Sequence, residues 1–155
     1  MGFYDWMLAL HVLAAFSVAA SLVLFGALVV SGRRTTTLAE ARLHFRVGTI
    51  GGVLIGVGMG VVLLVGIVLA IDHEDFQLWD VWVIAGLVLW ALLGWAGDRS
   101  GKYYTATQKI AESGEPNAES EVLARLRAPT GPRTYLLTLA LFVLISLDMI
   151  FKPGA

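Results

Sequence analysis

Residues 6–30 contain no Lys, Arg, Asp or Glu, and residues 47–71 form a second uncharged run of the same length, 25 residues. An α-helix rises about 1.5 Å per residue, so about 20 residues cross a hydrocarbon core roughly 30 Å thick. Both runs span with some tilt. A third run, residues 81–97, has 17 residues and spans when Trp79, Asp80 and Asp98 sit at the interfaces. The fourth is shorter. Residues 134–147 give 14 before Asp148, about 21 Å of helix, and only the extension through Asp148 to Phe151 reaches 18. The chain reads as all-α, a transmembrane four-helix bundle forming one domain over residues 1–155, with a carboxylate inside the last turn of its fourth span.

Hydrophobic residues make up 57% of the chain and charged ones 15%, against about 25% charged in an ordinary soluble domain. So little polar surface cannot clothe the apolar bulk in water, which excludes a soluble enzyme. The chain has no cysteine, so disulfides, Cys-ligated zinc and iron–sulfur clusters are excluded too. A net charge of −1, with no basic stripe of interleaved aromatics, gives nucleic acid no footing. The first run lacks a basic leader and exceeds the about 7–15 apolar residues of a signal peptide. It is expected to be a retained helix, anchored at the interface by Tyr4 and Trp6.

Charge sets the orientation. Arg33, Arg34, Arg42 and Arg46 lie between spans one and two, and Arg99, Lys102, Lys109, Arg125, Arg127 and Arg133 between spans three and four. Ten of the eleven basic residues thus fall on one side, leaving Lys152 for the other. Basic loops stay cytoplasmic, so both termini and the acidic connection around Asp72 are expected outside. That places the protein in the inner (plasma) membrane as a multi-pass chain.

The inner segments carry helix signals. Thr37 followed by Glu40 has capping-box spacing, in which each side chain satisfies the other's backbone N–H, and starts a helix at Leu38. Gly114, Pro116 and Asn117 break regular structure before a short amphipathic stretch. In it Val122, Leu123 and Leu126 share a face, and Glu121 precedes Arg125 by four residues. This stretch is read as lying on the inner leaflet or capping the bundle.

In lipid, apolar burial between helices yields little, and close backbone approach supplies the packing. Gly48, Gly52, Gly56 and Gly60 repeat every four residues and are expected to form the closest helix contact. Their expected partner is the small-residue side of span one, where Ala15 and Ala19, and Ser17 and Ser21, repeat at the same spacing, with contact in a homo-oligomer and a cofactor groove as the alternatives. Trp79, Trp82 and Trp95 fit the interfacial belts, while Trp90 lies deeper.

Ionisable groups inside spans are costly and mark function by default. His11 and Asp148 stand at similar depth near the outer face. A carboxylate accepting the imidazole N–H fixes the tautomer and raises the basicity of the ring, which makes His11 and Asp148 a candidate pair. The plainer readings are a histidine wetted by interfacial water or bonded to a carbonyl, and an aspartate reaching headgroup water or Lys152. Asp72, His73, Glu74 and Asp75 have the donor types of a divalent-cation site, although a solvated acidic turn is the favoured reading. No catalytic motif is present.

Leu10-His11-Val12-Leu13 at the outer end of span one, the four-span plan and the terminal Asp148-Met149-Ile150-Phe151-Lys152-Pro153-Gly154 resemble bacterial predicted integral membrane proteins of the domain of unknown function 2269 family. That resemblance implies topology and no activity. A histidine early in the first span is more distantly similar to copper-resistance D-type membrane proteins and HemJ-type protoporphyrinogen oxidases, which implies haem or metal ligation at His11; Asp148 would then stand behind it as a cofactor-site residue, with the opposite position open or filled by Met7 or Met149. The chain departs from the oxidase pattern by lacking a lysine in residues 81–97. The expected function is that of a non-enzymatic structural or accessory subunit in a larger membrane complex. A haem- or metal-binding protein using His11 and a small transporter or channel are the alternatives.

Overall fold

A computed structural model describes residues 2–72 and 77–153. The uncharged runs become the middles of four long helices: α1 (Phe3–Gly32), α2 (Leu38–Asp72), α3 (Val81–Glu112) and α5 (Thr130–Phe151). All four are long and apolar enough to cross a membrane, and the protein is an all-helical, multi-pass bundle. A short fifth helix, α4 (Ala118–Arg127), joins α3 to α5. The helices alternate in direction. One end of the bundle holds the termini, and the opposite end holds α4 and most of the basic residues.

Packing is uneven around the bundle. The α1–α2 and α3–α5 pairs make the most extensive contacts, and α2 meets α3 along a thinner seam. Helix stops follow local chemistry. Gly114 takes φ +73° just after α3, a left-handed conformation that costs glycine little. Lys152 adopts φ 41° and closes α5, its backbone N–H donating to the Asp148 carbonyl at 2.9 Å.

The basic end is a small core of its own. Val122 on α4 is fully buried against Ala41, Phe45 and Ala111, so the amphipathic stretch caps the bundle. Glu121 pairs with Arg125 at 2.9 Å as the spacing requires. Arginines finish the helix ends: the Arg42 side chain donates to the Ala111 carbonyl at 2.9 Å, satisfying one of the four carbonyls left open in the last turn of α3. The capping box forms with a shift. Glu40 N–H donates to Thr37 Oγ1 at 3.3 Å, but the Glu40 carboxylate accepts from the Thr36 N–H at 2.9 Å. That bond holds the Glu40 carboxyl below its usual range.

Candidate functional site

His11 and Asp148 point at different helices. The His11 ring lies on the α1–α2 seam, where a β-carbon at Gly66 would stand 3.0 Å from its Cε1, and it is in hydrogen-bonding reach of the Val62 backbone. Asp148 is buried on α5 and faces α3, its Oδ2 3.2 Å from a β-carbon built on Gly86. No hydrogen bond joins the two residues, and both His11 Nδ1 and Asp148 Oδ2 are buried without a partner. Met149 also lies over Gly86, away from the His11 seam.

This geometry does not fit a haem at His11. The ring edge is pressed against the α2 backbone in the most extensively packed seam of the bundle, and a macrocycle has no seat there. Among the described residues no group of three His, Cys, Asp or Glu side chains gathers as a metal site. His73, Glu74, Asp75 and Gly154 lie outside the described residues.

The expected glycine ladder is not the packing seam. Added β-carbons at Gly52, Gly56 and Gly60 would meet nothing within 4 Å, and one at Gly48 would make only ordinary contact with Leu28 and Phe25. The seam instead runs through Gly51, Gly58 and Gly66. A β-carbon would lie 3.2 Å from the Phe25 ring at Gly51, and 2.7 Å from the Ser17 hydroxyl and 2.8 Å from a Val18 methyl at Gly58. The reason is helical drift. Steps of four residues at 100° each advance about 40° per step and wind off the contact, whereas seven-residue steps drift by only about 20°. Gly51, Gly58 and Val65 are buried at that seven-residue spacing. On span one the side that meets Gly58 is Ala14, Ser17 and Val18, so of the expected partners Ser17 lies on the seam and Ala15 and Ala19 do not, and the glycine it meets is not one of the ladder.

Gly48, Gly52 and Gly56 line a groove of about 580 Å³ between α2 and α3. Across it stand Gly94, Gly97 and Gly101 of α3, and β-carbons there would also meet nothing within 4 Å. The floor holds Phe25 of α1 and Tyr135 of α5, and Leu126 of α4 borders the groove at the basic end. Toward the middle of the bundle the Trp90 indole N–H donates to the Met59 carbonyl at 3.1 Å and ties α3 to α2. The α3 glycines were not singled out by sequence, although their spacing of three and four residues was there to be read.

Two of the three tryptophans expected in the belts lie on the outside of the bundle. Trp79 is exposed, and Trp95 is half-exposed with the Arg99 guanidinium 4.7 Å from its ring. Trp82 does not. It is buried, with the Lys152 ammonium 5.3 Å from its ring, because its place in the helical turn points at α5 rather than at lipid. No family model, curated protein or solved structure matches the chain.

Proposed function

We propose that this chain is a non-enzymatic structural or accessory subunit of a larger membrane complex, in a bacterial inner membrane with both termini outside. The observation that carries the reading is where the polar side chains are spent. Ser17, Ser21, Thr107, Thr138 and Ser146 each donate to a carbonyl of their own helix at 2.8 to 2.9 Å. Trp90 binds a carbonyl of a neighbouring helix, and His11 turns to the Val62 backbone. The hydroxyl bonds satisfy their own helices, the Trp90 bond fastens two helices in lipid, and these groups converge on no common point where a substrate could react. The resemblance to predicted integral membrane proteins enters this reading as topology only.

Lateral association has a surface to use. Gly60 is open on α2, flanked on the same side by Val57 and Leu64, which are 62% and 66% exposed. A small residue between apolar ridges lets another helix approach closely. Native electrophoresis after extraction in a mild detergent tests the proposal, with the visible spectrum of the same sample. A colourless band heavier than one chain, containing a second membrane protein, is expected. Migration of the chain alone or as a homo-oligomer, or a Soret band removed by His11→Ala, would overturn it.

A further inference from the structure

The groove between α2 and α3 ends halfway across the bundle. Its lining runs from His44 to Met59 on α2 and from Trp90 to Gln108 on α3; the part inside the uncharged run, Gly48 to Met59, is about 16 Å of helix, close to half of a hydrocarbon core roughly 30 Å thick. Beyond that depth the Trp90–Met59 bond closes the seam. A partner transmembrane helix would have to continue past the closure, whereas an acyl chain spans one leaflet and stops there. The groove therefore has the length of a lipid tail and the volume of a small-ligand site, about 580 Å³ within the roughly 300–1,000 Å³ usual for such sites.

Its mouth has a charge to match. Asp98, Gly101 and Thr105 line both the groove and an adjoining recess on α3, which also holds Lys102 and Lys109. Asp98, Lys102, Thr105 and Lys109 recur at helical spacing and share one face. Asp98 pairs with Lys102 at 2.6 Å and offsets part of its charge. Lys109 has no carboxylate partner among the described residues. Of the arginines at this end, Arg42 is engaged on Ala111, Arg99 on Trp95, Arg125 on Glu121 and Arg127 on Thr35. Among the described residues, ten basic and six acidic ones stand around this end, while the terminal end has Lys152 against the four carboxylates Asp5, Asp72, Asp80 and Asp148. An anionic headgroup is drawn to one end of the bundle and repelled from the other.

We propose that the α2/α3 groove binds an anionic phospholipid, its tail between the two glycine rows and its phosphate at Lys102 and Lys109. This stands apart from the accessory-subunit proposal, because it concerns the chain by itself. The test uses the full chain in nanodiscs of mixed phosphatidylglycerol and phosphatidylcholine, transferred to detergent and weighed by native mass spectrometry. One retained phosphatidylglycerol per chain is expected, enriched over its share of the bilayer. Each lysine-to-glutamine change, Lys102→Gln or Lys109→Gln, should cost roughly fivefold in that enrichment, the worth of one basic residue beside an anionic surface. Lys152→Gln should leave it unchanged. Filling the groove with Gly56→Leu and Gly97→Leu, where side chains have open space, should abolish retention while the melting temperature holds.

Equal retention of the two lipids would overturn the proposal. So would enrichment that survives the filled groove, since the headgroup would then be held at the surface alone. A complex of two chains that the filled groove splits into single chains would make a second copy the occupant, and would overturn it as well.

Discussion

The Ser17 hydroxyl occupies the space into which a side chain at Gly58 would grow, 2.7 Å from where its β-carbon would stand. The same hydroxyl donates to the Ala14 carbonyl at 2.8 Å, so it is held in place and has little room to yield. This contact fixes how near α1 comes to α2.

Gly58→Leu should therefore destabilise the bundle by about 1–3 kcal/mol, the usual range for overpacking. Gly56→Leu should be close to neutral, since its side chain enters open groove. Thermal unfolding in detergent separates the two. Equal losses would mean that α1 and α2 are not held by the Gly51–Gly58 seam.

The comparison also shows what sequence spacing carries. Four apolar helices follow from charge-free length, and Val122, Glu121 and Arg125 fall where helical period puts them. Choosing which glycine row faces a neighbour needs more, because α2 presents glycine on several sides. The four-residue repeat was the easier to see, and the seven-residue one was the one that stays on a single face. Pairing His11 with Asp148 failed for a related reason. Depth along two helices was legible, but their rotation was not, and rotation turns one residue to Gly66 and the other to Gly86.

That rotation makes a prediction for the pair. His11→Leu and Asp148→Leu should act independently, with a coupling within about 0.5 kcal/mol, as for residues sharing no partner. A double-mutant cycle on unfolding free energies measures it. Rescue of one change by the other would show that the two side chains meet in the folded protein.

Trp90 joins α3 to α2 through its indole N–H and the Met59 carbonyl. Trp90→Phe keeps most of the ring and removes the donor, so it should cost about 0.5–1.5 kcal/mol, the net worth of one such bond. Trp90→Ala should cost more, about 3–5 kcal/mol, because the ring's packing is lost with it. Denaturant unfolding followed by circular dichroism reads both. A Phe variant as unstable as the Ala variant would mean that the hydrogen bond, not the ring, carries the seam.

The orientation can be tested on a chain with no native cysteine. The site must be exposed on its own side, and that rules out Gly32, which is buried with Leu126 against it and would resist labelling from either side. Ser113 after α3 and Gln77 before it are both exposed, and α3 holds them at opposite ends of the bundle. With ten of eleven basic residues at the Ser113 end, that end should be cytoplasmic. An impermeant thiol reagent on intact cells should then label Gln77→Cys and spare Ser113→Cys until the membrane is opened. The reverse pattern would place both termini inside and would set ten basic residues against the charge rule. Labelling of both in intact cells would instead mean that α3 does not cross the bilayer.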